Sequence, residues 1–373
     1  MKKAPSILNA DKLVIKIGSS LLIKKNKFNV SWLESLIEDL KNLKNNGVKF
    51  VLVVSGAVSL GSKYLKIEKS KLTLNHKQAS AACGQVILMK NFMKCFQKKK
   101  FKVAQILLTY SDTEDRKKSL NSKETINTLI ESSVIPIINE NDTVATEELK
   151  FGDNDRLAAR VAQIFGAKNL ILLSDVDGLY NKNPQKNKDA IFIPWVEEIS
   201  QDIRKMASND TNVFGSGGME TKIKASEIAT SFGCNTLICS GAKKNPIKKY
   251  LKDKKGTWFI SKKLSTSGFK NWLAGTIRVS GSLTIDDGAH KALLNGASLL
   301  PSGIKKTSGK FYRGDIIEIV LMNGNKIGKG ISLYDAEEIK KIKGKNSSDI
   351  FEILKYMGRE EVIHRDNLNL NDA

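Results

Sequence analysis

The stretch Val134-Ile135-Pro136-Ile137-Ile138-Asn139-Glu140-Asn141-Asp142 decides the fold: an apolar run passes without a break into carboxylates and amides. A continuous apolar run suits a strand buried on both faces, and polar groups at its carboxyl end stand where open α/β sheets place their ligands. A second polar cluster, Phe151-Gly152-Asp153-Asn154-Asp155, follows closely. Arg156, Leu157, Ala158, Ala159 and Val161 then continue as a helix whose first turn would aim Asn154 and Asp155 into a site. A third stretch, Gly215-Ser216-Gly217-Gly218-Met219-Glu220-Thr221-Lys222, is a glycine run ending in lysine. Together the three imply a phosphate-transfer site.

Outward from that strand the same alternation repeats. Lys12-Leu13-Val14-Ile15-Lys16-Ile17 reads as a strand, Gly18-Ser19-Ser20 as a turn, and Leu33, Leu36, Ile37, Leu40 and Leu43 fall at helical spacing after Ser31. Ser31 with Glu34 three residues on predicts a capping box. Phe50 to Val54, Val103 to Leu108, Leu170 to Leu173 and Thr236 to Cys239 are further β-branched or aliphatic runs separated by helix-length segments. That order predicts an α/β fold with a doubly wound, mainly parallel sheet over residues 1–262.

After residue 262 the texture changes to short, glycine-interrupted strands: Gly275 to Val279, Ser282 to Ile285, Ala297 to Leu300, Asp315 to Val320 and Lys329 to Leu333, with one helix from Asp287 to Asn295. We expect a small, mostly β barrel domain over 274–350. A helical segment and a polar tail, frayed from Asn367, would fill 351–373.

Composition bounds the function. The chain has 373 residues, beyond the size at which one core keeps growing, so two domains are expected. No apolar stretch reaches the roughly 18 residues of a membrane span, and Met1-Lys2-Lys3-Ala4-Pro5 lacks a signal-peptide core, which predicts a cytoplasmic protein. Cys83, Cys95, Cys234 and Cys239 lack metal-site spacing and are expected as free thiols, and no histidine is assigned to catalysis. The net charge is +22, but the basic residues are 53 Lys against 8 Arg, and Arg is the residue suited to planar readout of phosphates and bases. Residues 274–373 carry a net +2, leaving +20 on residues 1–273, so RNA binding by the second domain is not expected.

Phosphoryl transfer needs positioning and cations more than covalent help. Lys16 supplies one cation, inside an apolar strand and beside Gly18-Ser19-Ser20, whose backbone N–H groups at a helix start could face phosphate oxygens. Lys222 supplies another at the end of the glycine loop; Thr221 before it and the lack of a feeding strand exclude a Walker A motif. Asp142, Asn154 and Asp155 could meet an ammonium, a magnesium-nucleotide or a lysine pair. Ser174-Asp175-Val176-Asp177-Gly178 follows an apolar strand, where a sheet commonly meets adenine or ribose.

The blocks Val14 to Ser20, Val54-Ser55-Gly56-Ala57-Val58, Gln78 to Gln85, Asn139 to Asp142, Phe151 to Asp155, Leu173 to Tyr180 and Gly217 to Lys222 resemble the glutamate 5-kinases of the amino-acid-kinase family. Gly281 to Ala289 through Ser302-Gly303-Ile304 is similar to a PUA domain. The resemblance implies ATP-dependent phosphorylation of the γ-carboxylate of L-glutamate to L-glutamyl 5-phosphate, the first step of proline biosynthesis. It implies that Ser55, Asp142 and Asn154 hold glutamate, that Lys16 and Lys222 contact the transferring group, and that Asp155 orients both lysines. Ser174, Asp175 and the loop Ser216, Gly217, Gly218, Met219, Glu220, Thr221 and Lys222 would bind ATP, with Mg²⁺ carried by the nucleotide rather than by a protein metal site. It further implies a homo-oligomer, dimeric or tetrameric, feedback inhibition by proline, and coupling to a glutamyl-phosphate reductase. Two departures stand out: Cys83 replaces a small apolar residue, and Glu220 places a negative charge in the phosphate loop. The rival readings are a sister kinase acting on N-acetylglutamate, aspartate, carbamate or a nucleoside monophosphate, and an RNA-binding protein.

Overall fold

The computed structural model describes residues 5–24, 27–68, 72–144, 154–208, 218–262, 279–356 and 358–370. Phe151 to Asp153, Ser216, Gly217 and, of the strand expected from Gly275 to Val279, all but Val279 lie outside the described residues. The chain divides into two compact units, Met1–Ser265 and Thr266–Ala373.

The first unit is built on an eight-stranded sheet. Its strands in chain order are β1 (Lys12–Ile17), β2 (Lys49–Val54), β3 (Lys102–Leu108), β4 (Val134–Glu140), β5 (Asn169–Ser174), β6 (Trp195–Val196), β7 (Asn235–Ser240) and β8 (Thr257–Phe259). In space they run β6-β8-β7-β5-β1-β2-β4-β3, parallel except where β8 opposes β7. β1 thus has β2 on one side and β5 on the other, so the chain winds outward in both directions from the strand that carries Lys16.

Each central strand is buried on both faces, which is why it reads as an unbroken apolar run. On one face Leu13, Ile15, Ile17, Leu52, Val54 and Ile171 pack under helices α1 (Val30–Asn45) and α3 (Leu74–Gln97). On the other, Val14, Val51, Val53, Leu170 and Leu172 pack under α4 (Asn154–Phe165) and α5 (Met219–Ser231). Between β2 and α3 lies α2 (Ala57–Tyr64). α2 and α3 cross at two glycines: a Cβ on Gly61 would collide with the Ser80 carbonyl, and one on Gly84 with the Ala57 carbonyl.

The capping box expected at Ser31 does not form. The residue before α1 is Asn29, Ser31 sits inside the first turn, and the Asn29 side chain donates instead to Leu21 O (3.1 Å). Burial of Leu33, Leu36, Ile37, Leu40 and Leu43 holds this helix rather than its cap.

The second unit is strand-rich. Its sheet contains β9 (Gly281–Ile285), β10 (Ile304–Gly309), β11 (Ile316–Leu321), β12 (Lys326–Ile331) and β13 (Leu368–Leu370), in the order β10-β9-β11-β12-β13. Two expectations need correction here. Ala297 to Leu300 forms no strand, only a single bridge from Leu299 to Ile363, because the chain turns at Pro301–Gly303 straight afterwards. The tail expected to fray from Asn367 supplies an edge strand through Leu370, anchored by buried Leu368 and paired with β12.

Candidate active site

Alternation along β1 decides where Lys16 points. It shares parity with Val14, so its side chain leaves the sheet on the face covered by α4 and α5. Those helices face one another through small residues, Ala158, Ala159 and Ala162 on α4 and Ala225, Ser226 and Ala229 on α5, all buried. Small side chains let the helices approach closely, which brings their first turns, with Asp155 and Lys222, onto the end of β1. Lys16 Nζ lies 2.6 Å from Asp155 Oδ1 and Lys222 Nζ 3.2 Å from Asp155 Oδ2. Thr221 Oγ1 donates to the same Oδ2 at 2.9 Å.

All three charged side chains are buried: Lys16 is 6% exposed, Lys222 4% and Asp155 1%. Burial alone would raise the Asp155 pKa, but the two ammonium groups outweigh it and hold the carboxyl well below the usual range. Asp155 is therefore more than a helix cap. Two buried ammonium groups thus converge on one carboxylate, an arrangement that suits an anion placed against them.

Beside it lies a relay of amides. Asn154 Nδ2 donates to the Val54 carbonyl at the end of β2 and to Asn139 Oδ1 at the end of β4 (2.7 Å for the latter). Asn139 Nδ2 donates in turn to Gln85 Oε1 on α3, also at 2.7 Å. After β2 the chain bends away through Gly56, whose φ of +116° suits glycine and whose added Cβ would lie 2.8 Å from Ile23 Cδ1. That bend leaves Ser55 facing the same end of the sheet. Three side-chain atoms in this region, Ser55 Oγ, Gln85 Nε2 and Asn154 Oδ1, are buried without a hydrogen-bond partner among the described residues. Unpaired buried polar atoms are costly, and three together mark a polar ligand's place.

Asp142 and Gln85 both line a cavity of about 250 Å³, with Ala81, Gln105, Leu107 and Asn141. Asp142 is 8% exposed, and burial pushes its pKa up to about 6. A carboxylate so placed gains from a cationic ligand.

Across β1, the end of β5 leads to a second cavity of about 220 Å³, lined by Asp175, Asp177, Tyr180, Lys182, Met206 and Met219. Ser174 is buried and its hydroxyl lies 2.9 Å from Asp175 Oδ1, while Asp175 itself is exposed. Met219 joins this cavity to the lysine cluster, because it shares the first turn of α5 with Lys222.

Two local readings change. Gly218 is the cap of α5, so Met219, Glu220, Thr221 and Lys222 belong to its first turn rather than to a loop. At Gly18 the backbone N–H is taken by Leu173 O (3.1 Å) and the following helix has only the residues Ser19–Leu22, so this turn offers phosphate less than its glycine promised. Glu220 turns outward to Lys224 Nζ (2.7 Å) on the exposed face of α5, away from Lys222. Gln85 and Asn139 carried no assigned role in the sequence, although both fall in the blocks that carry the resemblance. The signal was there for Asn139, an amide directly after a buried strand; for Gln85 only the fold supplies it.

The Amino acid kinase family profile matches residues 11–240, and the PUA domain profile matches 281–354. A glutamate 5-kinase of Pelagibacter ubique is 46% identical over 95% of this chain and 97% of its own length. One from Agrobacterium fabrum is 44% identical over 97% of this chain and 93% of its own. A solved carbamate kinase from Giardia lamblia, bound to AMP-PNP, is 17% identical with a TM-score of 0.48, covering 68% of this chain and all of that one. The α/β unit and the strand-rich unit that follows thus each match a known family, the relatives extend along nearly the whole sequence, and the chain belongs to the amino acid kinase family, among its glutamate 5-kinases.

Proposed function

We propose that this protein transfers the γ-phosphoryl group of ATP to the side-chain carboxylate of L-glutamate, giving L-glutamyl 5-phosphate and ADP, the first step of proline biosynthesis. The observation that carries the reading is the pair of buried ammonium groups that converge on Asp155 at the end of the central strand. The acceptor carboxylate, with a pKa of about 4.3, is already ionised at neutral pH, so no general base is required. What the reaction requires is suppression of repulsion between two anions, and Lys16 and Lys222 supply that where charge builds on the transferring group. Asp155 is the positioning residue that holds both.

In this reading Asp142, Ser55 and Asn154 hold glutamate, with Asp142 facing its ammonium. Ser174, Asp175 and the residues from Ser216 to Lys222 hold the nucleotide. Asp155 is engaged by two lysines and Thr221, so Mg²⁺ would be held by phosphate oxygens rather than by this carboxylate. When bound, the ion neutralises the phosphates. Feedback by proline at the acceptor cavity, assembly into homo-oligomers, delivery of the acyl phosphate to a reductase and a cytoplasmic location complete the reading. No helix among the described residues is long and apolar enough to cross a membrane.

Variant kinetics test the assignment of roles. Lys222→Ala is expected to lower kcat about 100-fold or more with little change in glutamate KM, because its contact strengthens as charge develops. Asp142→Ala is expected to raise glutamate KM by about 10-fold or more and leave kcat nearly intact. An unchanged glutamate KM would remove Asp142 from the acceptor pocket.

A further inference from the structure

The amide relay has a fixed polarity. Val54 O can only accept, so the atom of Asn154 that meets it must be the nitrogen. That nitrogen also donates to Asn139 Oδ1, which turns the Asn139 nitrogen toward Gln85 and makes Gln85 present Oε1 to it. The remaining Gln85 atom, Nε2, is then necessarily a donor. It is buried with no partner among the described residues, on a side chain 9% exposed that lines the same cavity as Asp142. One backbone carbonyl on β2 therefore sets the hydrogen-bonding sense of a side chain on α3, three amides away. The relay begins at Asn154, next to the phosphoryl-transfer cluster at Asp155, and ends at the part of the acceptor cavity that holds Asp142.

An α-amino acid whose far carboxylate lies at the lysines must place its ammonium and α-carboxylate at that other end. Asp142 suits the ammonium. A donor is still needed for the α-carboxylate, and Gln85, which lines the cavity beside Asp142, carries one in Nε2, buried without a partner among the described residues. We propose that Gln85 is a specificity-determining residue that donates from Nε2 to the acceptor's α-carboxylate, with Asn139 as the positioning residue that fixes its orientation. This rests on the glutamate reading of the same site. It explains why a buried glutamine is held by a chain of side-chain amides instead of by backbone: the chain leaves it one choice of rotamer and one choice of amide orientation.

The test uses the full-length protein, Gln85→Glu and Gln85→Met. Two ligands are compared, L-glutamate as substrate and 4-aminobutyrate, which is glutamate without the α-carboxylate, as a competitor. Gln85→Glu keeps an oxygen for Asn139 and replaces the donor by an acceptor, so it preserves the relay while opposing an α-carboxylate. We expect its glutamate kcat/KM to fall about 100-fold and that of Gln85→Met about 10-fold, mainly through KM, as for loss of a hydrogen bond to a charged group. The inhibition constant of 4-aminobutyrate is expected to stay within about 2-fold in both variants, since it has nothing for Gln85 to hold. Equal loss toward both ligands would overturn the assignment and make Gln85 a structural residue, as would unchanged glutamate kinetics. A wild-type protein that forms no acyl phosphate from glutamate would overturn the underlying function and this assignment together, before any variant is compared.

Discussion

Lys16 and Lys222 would repel each other inside the protein were Asp155 not between them. Asp155→Asn is isosteric but removes the carboxylate that both buried ammonium groups share, and losing one partner of a buried pair costs about 3–5 kcal/mol. We expect a loss of stability of that order in urea denaturation, together with a large fall in kcat. Asp142 makes the opposite prediction. Its pKa is raised by burial from the usual 3.8 to about 6, so the folded protein binds its proton more tightly than the unfolded chain does. The penalty is absent below about pH 4, grows as pH rises to about 6 and persists above. Asp142→Asn should therefore stabilise the unliganded protein by up to about 2–3 kcal/mol at pH 7.5 and leave it unchanged near pH 4, read from denaturation midpoints at the two pH values. Glutamate kcat/KM in the wild-type protein should fall as pH drops through about 6, where Asp142 takes up a proton and can no longer pair an ammonium.

At the scale of elements, the site exists because strand ends and helix starts converge. β1, β2, β4 and β5 deliver Lys16, Ser55, Asn139 and Ser174, while α4 and α5 deliver Asn154, Asp155 and Lys222. The strands were legible because each is an unbroken apolar run, and the first turn of α4 because its polar pair opens a helical pattern. The relay was not, since Gln85, Asn139 and Asn154 meet only after three separate elements are placed, and no local pattern records that meeting. The cap of α1 was misread because tertiary burial sets that helix and frees Asn29 to bond elsewhere. The edge strand β13 was missed because the asparagines in and around it, Asn367, Asn369 and Asn371, suggest a solvated tail, while buried Leu368 is what ties it down. Gly84→Ala tests the crossing of α2 and α3. Its methyl group would force the helices apart, at a cost of about 1–3 kcal/mol. Because Gln85 is the next residue, the same change should raise glutamate KM while leaving ATP KM nearly unaltered.

For the whole molecule, all the described residues of the proposed site lie in the first unit, which has its own sheet and its own two packed faces. A chain ending at residue 265 is therefore expected to keep glutamate-dependent ADP formation within about 10-fold of the full protein, a margin that allows for some loss of stability. Loss of all turnover from a folded truncation would mean that the second unit contributes to the site. The charge excess of +20 on residues 1–273 also has a kinetic consequence: it favours encounter with anionic substrates, so kcat/KM for ATP should fall as salt is added while kcat changes little. The measurement that bears most directly on the central claim is ADP release with ATP and Mg²⁺ across L-glutamate, N-acetyl-L-glutamate, L-aspartate, carbamate and UMP, with hydroxylamine present to trap an acyl phosphate. The account predicts turnover with L-glutamate and a hydroxamate from it. Turnover with another acceptor and none with glutamate, or ADP release with no hydroxamate, would contradict it.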